Sequence, residues 1–250
     1  MSLWRLQRRT RQRPRQHKDL TPTGPARFFG AGLCFSDMKK KLVIFDLDGT
    51  LVDAYPAITV SFNAVMERLG YRRQSALTIR RAVGWGDRQL LESFVRPGDL
   101  DQAQKFYRRH HAQALIDKVR WLPGAKALLV FLKKKGYRLA IASNRPARFT
   151  GIILKTLGAR RLFDVVLCAD KIARRKPHPL IVQLILKRCR IKGFEALFVG
   201  DMAIDVRTAQ RARIDVAAVA TGSSSRRELK ELKPTYLLKN VSEVRKILTA

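Results

Sequence analysis

Residues 42–50 read LVIFDLDGT, a short apolar run that ends in two aspartates, a glycine and a threonine. A continuous apolar run of this length is typical of a strand that is buried on both faces of a parallel sheet. Asp46 and Asp48 follow the run two residues apart, and Gly49 permits the turn that lets both carboxylates face one pocket. The stretch therefore predicts a buried strand that brings two acidic groups to the edge of a sheet.

Similar apolar runs recur along the chain and alternate with helix-like segments. The runs cover residues 139–142, 165–168, 196–199 and 216–220. The helix-like segments between them cover residues 125–135, 146–157 and 179–189. Alternating strands and helices predict an α/β fold that is built on a parallel sheet.

The alternation breaks between the first two runs, where helical patterns follow one another without a strand-like run. These patterns cover residues 57–69, 77–83, 87–95 and 100–118. We call residues 56–122 the helical insert, and we expect residues 39–55 and 123–250 to form the catalytic core.

Residues 1–38 differ from the rest of the chain. They carry eight basic and two acidic side chains and show no regular period, so we expect a disordered basic extension. An organelle transit peptide and a start codon assigned too early, just before Met38, remain alternative explanations.

The composition excludes several classes of protein. Hydrophobic residues make up 46% of the 250 residues, which suits a packed core. No apolar run approaches the ~20 residues of a membrane span, so we expect no membrane partner. The cysteines, Cys34, Cys168 and Cys189, lack the spacing of a metal site and suit a reducing compartment, which favours a cytoplasmic protein.

The formal net charge of +31 is extreme. Such a charge attracts polyanions, and it also helps an enzyme to collect anionic phosphate esters. Because the basic residues are spread along the chain, we interpret them as solvated surface charge. Nucleic acid is a partner that the charge allows but that we do not favour.

Four polar side chains follow the first four apolar runs. Asp46, Ser143 and Asp201 come at or shortly after the ends of their runs, and Lys176 lies a short loop beyond the third run. In an open parallel sheet, ligands bind beyond the carboxyl ends of the strands. We therefore expect these groups to converge on one site.

The acidic residues suit the transfer of a phosphoryl group. Asp46 can attack phosphorus and form an aspartyl-phosphate, and Asp48 can protonate the leaving group and then activate water. Asp201 and Asp205 are four residues apart, on one face at the start of a helix, and their oxygens suit Mg²⁺, which we expect them to bind together with Asp46. The alternative for Asp205 is an acid that the helix dipole stabilises.

Two further side chains can act on the phosphoryl group. Lys176 can neutralise its charge, although a lysine in the run Arg174-Arg175-Lys176 can also be a surface residue. Ser143 can donate its hydroxyl to the phosphate with Asn144 beside it, although a Ser-Asn pair after a strand is often a helix cap. The convergence of the sites favours the catalytic interpretation of both.

The order and spacing of these residues resemble a known family. Asp46-Leu47-Asp48-Gly49-Thr50, Ser143-Asn144, Lys176-Pro177 and Gly200-Asp201-x-x-x-Asp205 look like the four motifs of the haloacid-dehalogenase-like hydrolases, across residues 40–225. The helical insert is similar to the cap of the phosphoglycolate phosphatase and β-phosphoglucomutase branch. The resemblance implies a Rossmann-like core and Mg²⁺, which the backbone carbonyl of Asp48 helps to hold. Asp48 itself argues against the dehalogenases proper.

We therefore expect a Mg²⁺-dependent phosphatase that hydrolyses a small, phosphoglycolate-like phosphate monoester, with the helical insert as a cap that selects it. A β-phosphoglucomutase-like or pyrophosphatase activity is the alternative within the fold, and a polyanion-binding protein is the alternative outside catalysis. Thr50 and Asn144 are expected at the substrate.

The segment 83–87 resembles the glycine-containing cap segment of phosphoglycolate phosphatases. Next to it, Arg88 is expected to pair with a second anionic group of the substrate. The other interpretation of the segment is a turn between helices, with Trp85 in the core of the insert.

Three features stand outside the catalytic pattern. Ala212-Arg213 stands where the family often has Ala-Gly, and residues 221–223, Thr-Gly-Ser, replace a more usual Trp-Gly type of ending. We expect neither departure to touch the catalytic groups. His110 and His111 lack neighbouring ligands, and we expect a solvated pair on a helix.

Overall fold

Six parallel strands form the central sheet of the computed structural model, which describes residues 39–249. In chain order, the strands of residues 39–249 are β1 (Leu42–Phe45), β2 (Val52–Asp53), β3 (Arg120–Trp121), β4 (Arg138–Ser143), β5 (Val165–Cys168), β6 (Ala196–Gly200), β7 (Asp215–Val219) and β8 (Tyr236–Leu238); β2 and β3 form a separate pair. The sheet has the order β5-β4-β1-β6-β7-β8, and all neighbours run parallel. The predicted parallel α/β fold is confirmed.

Helices of the core cover both faces of this sheet. In chain order, the helices of residues 39–249 are α1 (Tyr55–Arg68), α2 (Ala76–Ala82), α3 (Asp87–Glu92), α4 (Leu100–Lys118), α5 (Ala125–Lys134), α6 (Ala147–Thr156), α7 (Leu180–Cys189), α8 (Ala203–Arg211), α9 (Arg226–Glu231) and α10 (Val244–Thr249). Val43 and Phe45 of β1 belong to the apolar cluster with α5 and α6, whereas Leu42 and Ile44 belong to the cluster with α7 and α8. Burial on both faces explains the continuous apolar run of β1.

The strand β1 lies at the centre of the sheet. Val43 pairs with Leu139 of β4 on one side and with Leu197 of β6 on the other. The chain adds β4 and β5 on the first side and β6, β7 and β8 on the second, so the connections diverge at the carboxyl end of β1. Such a switch point leaves a crevice where ligands bind.

Helices α1 to α4 fill most of the helical insert, and α1 packs along α4. The strands β2 and β3 lie where the chain enters and leaves the insert. They pair antiparallel, with Val52 opposite Trp121. β3 lies inside the insert that the sequence predicts as mostly helical and without a strand-like run, because two residues are too few to show a strand period. The division into a core and a cap that acts separately stays a prediction.

The end of α8 shows how one departure from the family pattern is tolerated. Arg213 has a φ of 55°, the left-handed conformation that glycine adopts without a steric penalty. Arginine thus keeps the helix-ending geometry at some cost in strain.

Two further expectations concern a membrane-spanning helix and the N-terminal extension. No helix within residues 39–249 combines the length and the apolar character that a membrane span needs. The basic extension predicted for residues 1–38 lies outside the described residues.

Candidate active site

A buried lysine joins two aspartates at the carboxyl ends of the central strands. Lys176 Nζ donates hydrogen bonds to Asp46 Oδ1 at 2.6 Å, to Asp205 Oδ1 at 2.7 Å and to the carbonyl oxygen of Ala142 at 2.8 Å. Lys176 is only 1% exposed, so the alternative of a surface lysine is wrong. Asp46 follows β1, Ala142 belongs to β4 and Asp205 lies in the first turn of α8. The sheet therefore brings together residues that are distant in sequence.

The charges of this cluster shift the pKa of its members. Burial lowers the pKa of Lys176, but the facing carboxylates of Asp205 and Asp46 outweigh this effect and raise that pKa. The lysine is therefore a cation. Burial raises the pKa of Asp46 to about 7, and the positive charge of Lys176 limits the rise. Lys176 is thus the counter-charge that favours an ionised Asp46 near neutral pH.

Asp201 occupies the other side of the acidic cluster and is completely buried. Thr50 Oγ1 donates a hydrogen bond to its Oδ1 at 2.6 Å, and the backbone N–H of Ser223 donates to its Oδ2 at 3.1 Å. Burial, together with the nearby negative charge of Asp46, raises the pKa of Asp201 well above its ordinary value. Thr50 is itself fully buried and orients Asp201, so the structure does not place it at the substrate as expected.

The loop after β7 also belongs to the site. A Cβ atom at Gly222 would lie 1.4 Å from Asp201 Oδ2, so only glycine fits there. Thr221 Oγ1 donates a 2.6 Å hydrogen bond to the carbonyl oxygen of Gly49, next to the two aspartates that follow β1. The expectation that residues 221–223 do not touch the catalytic groups is therefore wrong.

Asp48 pairs with an arginine that the sequence analysis missed. Arg145 Nε donates to Asp48 Oδ2 at 2.7 Å, and Arg145 Nη2 donates to Asp48 Oδ1 at 3.0 Å. Arg145 is 9% exposed and follows Ser143-Asn144 at the end of β4. In a chain so rich in arginine, nothing in the spacing of Arg145 separates it from the arginines of the surface.

His111 lies behind this arginine. Its Nε2 is 2.7 Å from Arg145 Nη1, and its side chain is completely buried between Tyr107 and Phe149. The expectation of a solvated histidine pair is therefore wrong for His111, whereas His110 is exposed. The available signal was helical spacing, since His111 follows Tyr107 by four residues on the buried face of α4.

Ser143 and Asn144 lie beside the lysine. Ser143 Oγ accepts the backbone N–H of Arg145 at 3.1 Å, and no hydrogen bond donated by this hydroxyl is found within residues 39–249. It can therefore donate to a phosphate. Asn144 Oδ1 accepts the backbone N–H of Lys176 at 3.0 Å, and Asn144 Nδ2 donates to the carbonyl oxygen of Gly84 at 2.9 Å. Asn144 lines the cavity but holds two loops in place with its amide.

The net charge of the site fits a divalent cation. Its buried or nearly buried charged side chains are Asp46, Asp48, Asp201, Asp205, Lys176 and Arg145. Four carboxylates against two cations leave two carboxylates without a cationic partner, and burial makes their ionisation costly unless another positive charge is bound. Oxygens of three of these carboxylates, Asp46, Asp201 and Asp205, lie within 4.8 Å of one another.

Two buried hydroxyls support the same conclusion. Tyr55 Oη and Ser223 Oγ have no hydrogen-bond partner among the described residues. A Cβ atom at Gly49 would lie 2.7 Å from both Asp201 Oδ2 and Tyr55 Oη, so the hydroxyl and the carboxylate face one small space. Water molecules on a cation beside Asp201 would satisfy such hydroxyls.

Asp205 is less suited to bind a cation than Asp201. Its Oδ1 accepts a hydrogen bond from Lys176, and its Oδ2 accepts the backbone N–H of Met202 at 3.0 Å. Although its oxygens lie within the acidic cluster, both are already engaged. We therefore assign Asp205 to anchoring Lys176 and capping α8, and its predicted role as a ligand stays a prediction.

A cavity with a free volume of about 60 Å³ lies between these residues and the helical insert. Its apolar wall includes Ile58, Leu90, Phe149 and Ile204. Val83, Gly84, Gly86 and Asp87 also line it, so the segment 83–87 lies against the site. Trp85 is 40% exposed, which shows that the alternative of a buried tryptophan core is wrong.

Arg88 lies outside this cavity, contrary to the expectation for a substrate-binding cation. Its Nη1 donates to Asp101 Oδ1 at 2.6 Å, and the two side chains are 46% and 77% exposed. The pair joins α3 to α4 on the surface of the insert. Arg145 is the arginine that the structure brings to the site.

Arg80 links the insert to the loop that contacts Asp201. Its Nη2 donates to the carbonyl oxygen of Thr221 at 2.6 Å, and its Nε donates to that of Gly222 at 3.1 Å. The guanidinium also lies over the ring of Tyr55, 4.5 Å from the centroid. The helix α2 is thus bonded directly to the surroundings of the acidic cluster.

Sequence comparisons agree with this geometry. The profile of a family described as "Haloacid dehalogenase-like hydrolase" matches residues 43–219. The chain is 31% identical over 209 residues to a phosphoglycolate phosphatase of Psychrobacter arcticus, covering 79% of this chain and 91% of that protein. It is 27% identical over 217 residues to a phosphoglycolate phosphatase of Nitrosococcus oceani, covering 84% and 96%.

Solved structures share the fold. A predicted phosphoglycolate phosphatase from Haemophilus somnus aligns with a TM-score of 0.80 at 24% identity, over 84% of this chain and 99% of that chain. A putative phosphatase from Clostridium difficile aligns with a TM-score of 0.75 at 26% identity, over 84% and 99%.

Proposed function

The chain belongs to the haloacid dehalogenase-like hydrolase family, and we propose that it is a Mg²⁺-dependent phosphatase that hydrolyses a small, phosphoglycolate-like phosphate monoester. Its enzyme class, a phosphoric monoester hydrolase, follows from the family and from the phosphatases that it resembles. The metal, the mechanism and the substrate are the parts that the proposal adds.

One observation carries the proposal: Lys176 bridges Asp46 and Asp205 inside a buried site in which the carboxylates outnumber the cations. A purely structural ion pair would not need the excess of carboxylates. A polyanion-binding protein would not need a buried acidic cluster either, because like charge repels its ligand. A phosphate ester and a divalent cation together explain both features.

Asp46 is the proposed nucleophile. Its Oδ1 accepts the hydrogen bond of Lys176, which leaves Oδ2 to attack phosphorus and form an aspartyl-phosphate. Asp48 gives a proton to the leaving oxygen and then takes one from the water that hydrolyses the intermediate. Ser143 donates a hydrogen bond to a phosphoryl oxygen, and the positive charge of the nearby Lys176 offsets the negative charge that develops on the phosphoryl group.

Asp46, Asp201 and the backbone carbonyl of Asp48 are the groups that would hold Mg²⁺. The bound ion supplies a positive charge that neutralises phosphoryl oxygens and lowers the repulsion between the phosphate and the carboxylates. Thr50 and Ser223 keep Asp201 in position for this role through their hydrogen bonds to its two oxygens.

The small cavity and the names of the relatives support a small substrate. The core groups address only the phosphoryl group and the metal, so discrimination has to come from the segments around the cavity. The helical insert contributes residues 83–87, α3 and α4 to this wall, and we propose that it acts as a cap that selects the substrate.

The test is hydrolysis of 2-phosphoglycolate and of a generic aryl phosphate, with phosphate release measured in Mg²⁺ and after addition of EDTA. We expect turnover with Mg²⁺, loss of turnover with EDTA and recovery when Mg²⁺ is restored. Full activity in metal-free buffer would contradict the metal dependence. Absence of any phosphate release in Mg²⁺ would contradict the function.

A further inference from the structure

A guanidinium group occupies both oxygens of the proposed acid/base. Arg145 holds Asp48 with two hydrogen bonds, at 2.7 Å and 3.0 Å, inside the cavity wall. The guanidinium therefore competes with a substrate oxygen for the Asp48 carboxylate. Proton transfer by Asp48 becomes easier when another anion takes its place on Arg145.

Arg145 has an anchor that does not depend on Asp48. A guanidinium can only donate hydrogen bonds, so His111 Nε2 must accept from Arg145 Nη1. The proton of His111 is then on Nδ1, which lies 3.1 Å from Ser61 Oγ, and Ser61 Oγ donates to the carbonyl oxygen of Ala57 at 2.8 Å. Burial, assisted by the charge of Arg145, lowers the pKa of His111, so the ring stays a neutral acceptor. This chain of hydrogen bonds ties the guanidinium to α1 and α4.

Arg145 is also the cation of the cavity that remains for a second anion. Lys176 and Arg145 are the two cations among the residues that line the cavity. Lys176 already donates to three protein oxygens and addresses the phosphoryl group. The planar fork of an arginine matches the two oxygens of a carboxylate.

We propose that Arg145 binds a carboxylate of the substrate, and that this carboxylate replaces Asp48 on the guanidinium. Binding of the second anion releases Asp48 for proton transfer at the leaving oxygen, so recognition and catalysis are coupled. His111 is a positioning residue that keeps the fork in place during the exchange. The inference rests on the proposed phosphatase function and deepens it, because it assigns the residue that recognises the carboxylate of a phosphoglycolate-like substrate and couples this recognition to proton transfer.

The test compares two substrates that differ in the carboxylate, 2-phosphoglycolate and ethyl phosphate. Arg145→Gln should lower kcat/KM for 2-phosphoglycolate by roughly 10- to 100-fold more than for ethyl phosphate. The matched control is Arg227→Gln, an exposed arginine paired with Glu231 on α9, which should leave the ratio of the two values unchanged. Circular dichroism checks that each variant is folded, and Arg145→Lys, which keeps the charge but loses the fork, repeats the comparison if Arg145→Gln does not fold.

A binding measurement separates recognition from turnover. In an Asp46→Asn background, calorimetry should show that Arg145→Gln weakens the binding of 2-phosphoglycolate more than the binding of ethyl phosphate. His111→Leu removes the acceptor at Nε2 and should lower the ratio of kcat/KM for 2-phosphoglycolate to kcat/KM for ethyl phosphate. His111→Gln supplies an amide oxygen as acceptor and should restore part of this ratio. A merely structural role of His111 would not distinguish the two substrates.

Two negative outcomes are distinguishable. If the wild-type protein hydrolyses phosphate esters but Arg145→Gln lowers kcat/KM for both substrates by the same factor, the role of Arg145 is overturned and the phosphatase function stands. If the wild-type protein hydrolyses no phosphate monoester, the proposed function fails. Binding of 2-phosphoglycolate that is equally tight in Asp46→Asn and in the Arg145→Gln, Asp46→Asn double variant would overturn the inference separately.

Discussion

Lys176 Nζ donates a 2.6 Å hydrogen bond to Oδ1 of Asp46, so the two oxygens of this buried carboxylate are not equivalent. Within residues 39–249, no hydrogen bond from a protein donor to Oδ2 is found. The lysine thereby fixes the orientation of the carboxylate and leaves one defined oxygen for attack on phosphorus. Asp205 holds the same ammonium from the other side at 2.7 Å, so the orientation is maintained by residues from three segments of the core.

Replacing Asp46 by asparagine should abolish turnover while leaving the fold intact. An amide cannot form the covalent phosphoenzyme, and it removes a negative charge whose burial is unfavourable. We expect kcat to fall by at least about 10³-fold and the melting temperature to change little. Trapping of labelled phosphate after acid quench checks the assignment, and a label found on another residue would refute it.

The stabilisation of the protein by Mg²⁺ should grow with pH. The pKa of Asp46 is raised to about 7, above its ordinary value, so its contribution to stability is present at low pH and is lost as pH rises through about 7. Mg²⁺ binds the ionised carboxylate, and protons compete with it below that pH. The shift in melting temperature caused by Mg²⁺ should therefore increase between about pH 5 and about pH 8.

Asp46→Asn is the control for this pH dependence, because it removes the titrating carboxyl while Asp201 remains. Its Mg²⁺-induced shift should be smaller and should depend less on pH. A wild-type shift that stays constant over the whole range would show that Asp46 does not titrate with the metal.

Replacing Lys176 by methionine should destabilise the protein and stop catalysis. The substitution leaves Asp46 and Asp205 buried without their shared cation, and breaking a buried ion pair costs about 3–5 kcal/mol. Chemical denaturation at neutral pH measures the loss, and Lys155→Met, at an exposed position of α6, serves as the control. An equal effect of the two substitutions would remove Lys176 from its assigned role.

Replacing Arg80 by glutamine should weaken the binding of Mg²⁺. Arg80 holds the carbonyl oxygens of Thr221 and Gly222, and the next residue, Ser223, donates to Asp201. Loss of support around a metal ligand typically reduces affinity by roughly 10-fold or more. Calorimetric titration with Mg²⁺ measures this change.

The neighbouring residue offers a matched control for Arg80. Arg81 lies on the same helix and is exposed, so Arg81→Gln should bind Mg²⁺ like the wild type. Unchanged affinity in Arg80→Gln would mean that the loop 221–223 keeps its position without the insert.

The sequence by itself determined five of the six strands of the central sheet, the order of the catalytic motifs and the presence of the insert. A strand that is buried on both faces, such as β1, can be recognised from four adjacent apolar residues, because burial requires an apolar side chain at each position separately. Asp46, Asp201 and Lys176 could be placed together because all parallel strands end at one edge of the sheet. Short elements escaped this kind of inference: β8 has three half-buried residues, too few to show a period.

Only the tertiary structure decided which side chains meet around these residues. Arg145 pairs with Asp48 across 97 residues of sequence and with His111 across 34, and Thr221 reaches Gly49 across 172. The sequence placed the second-anion role on Arg88, because the charge of a residue does not show which distant segment packs against it. Helical spacing could have indicated that His111 is buried, but not that it contacts Arg145. That choice depends on how α4 of the insert and the loop after β7 pack onto the sheet, which is a property of the whole folded chain.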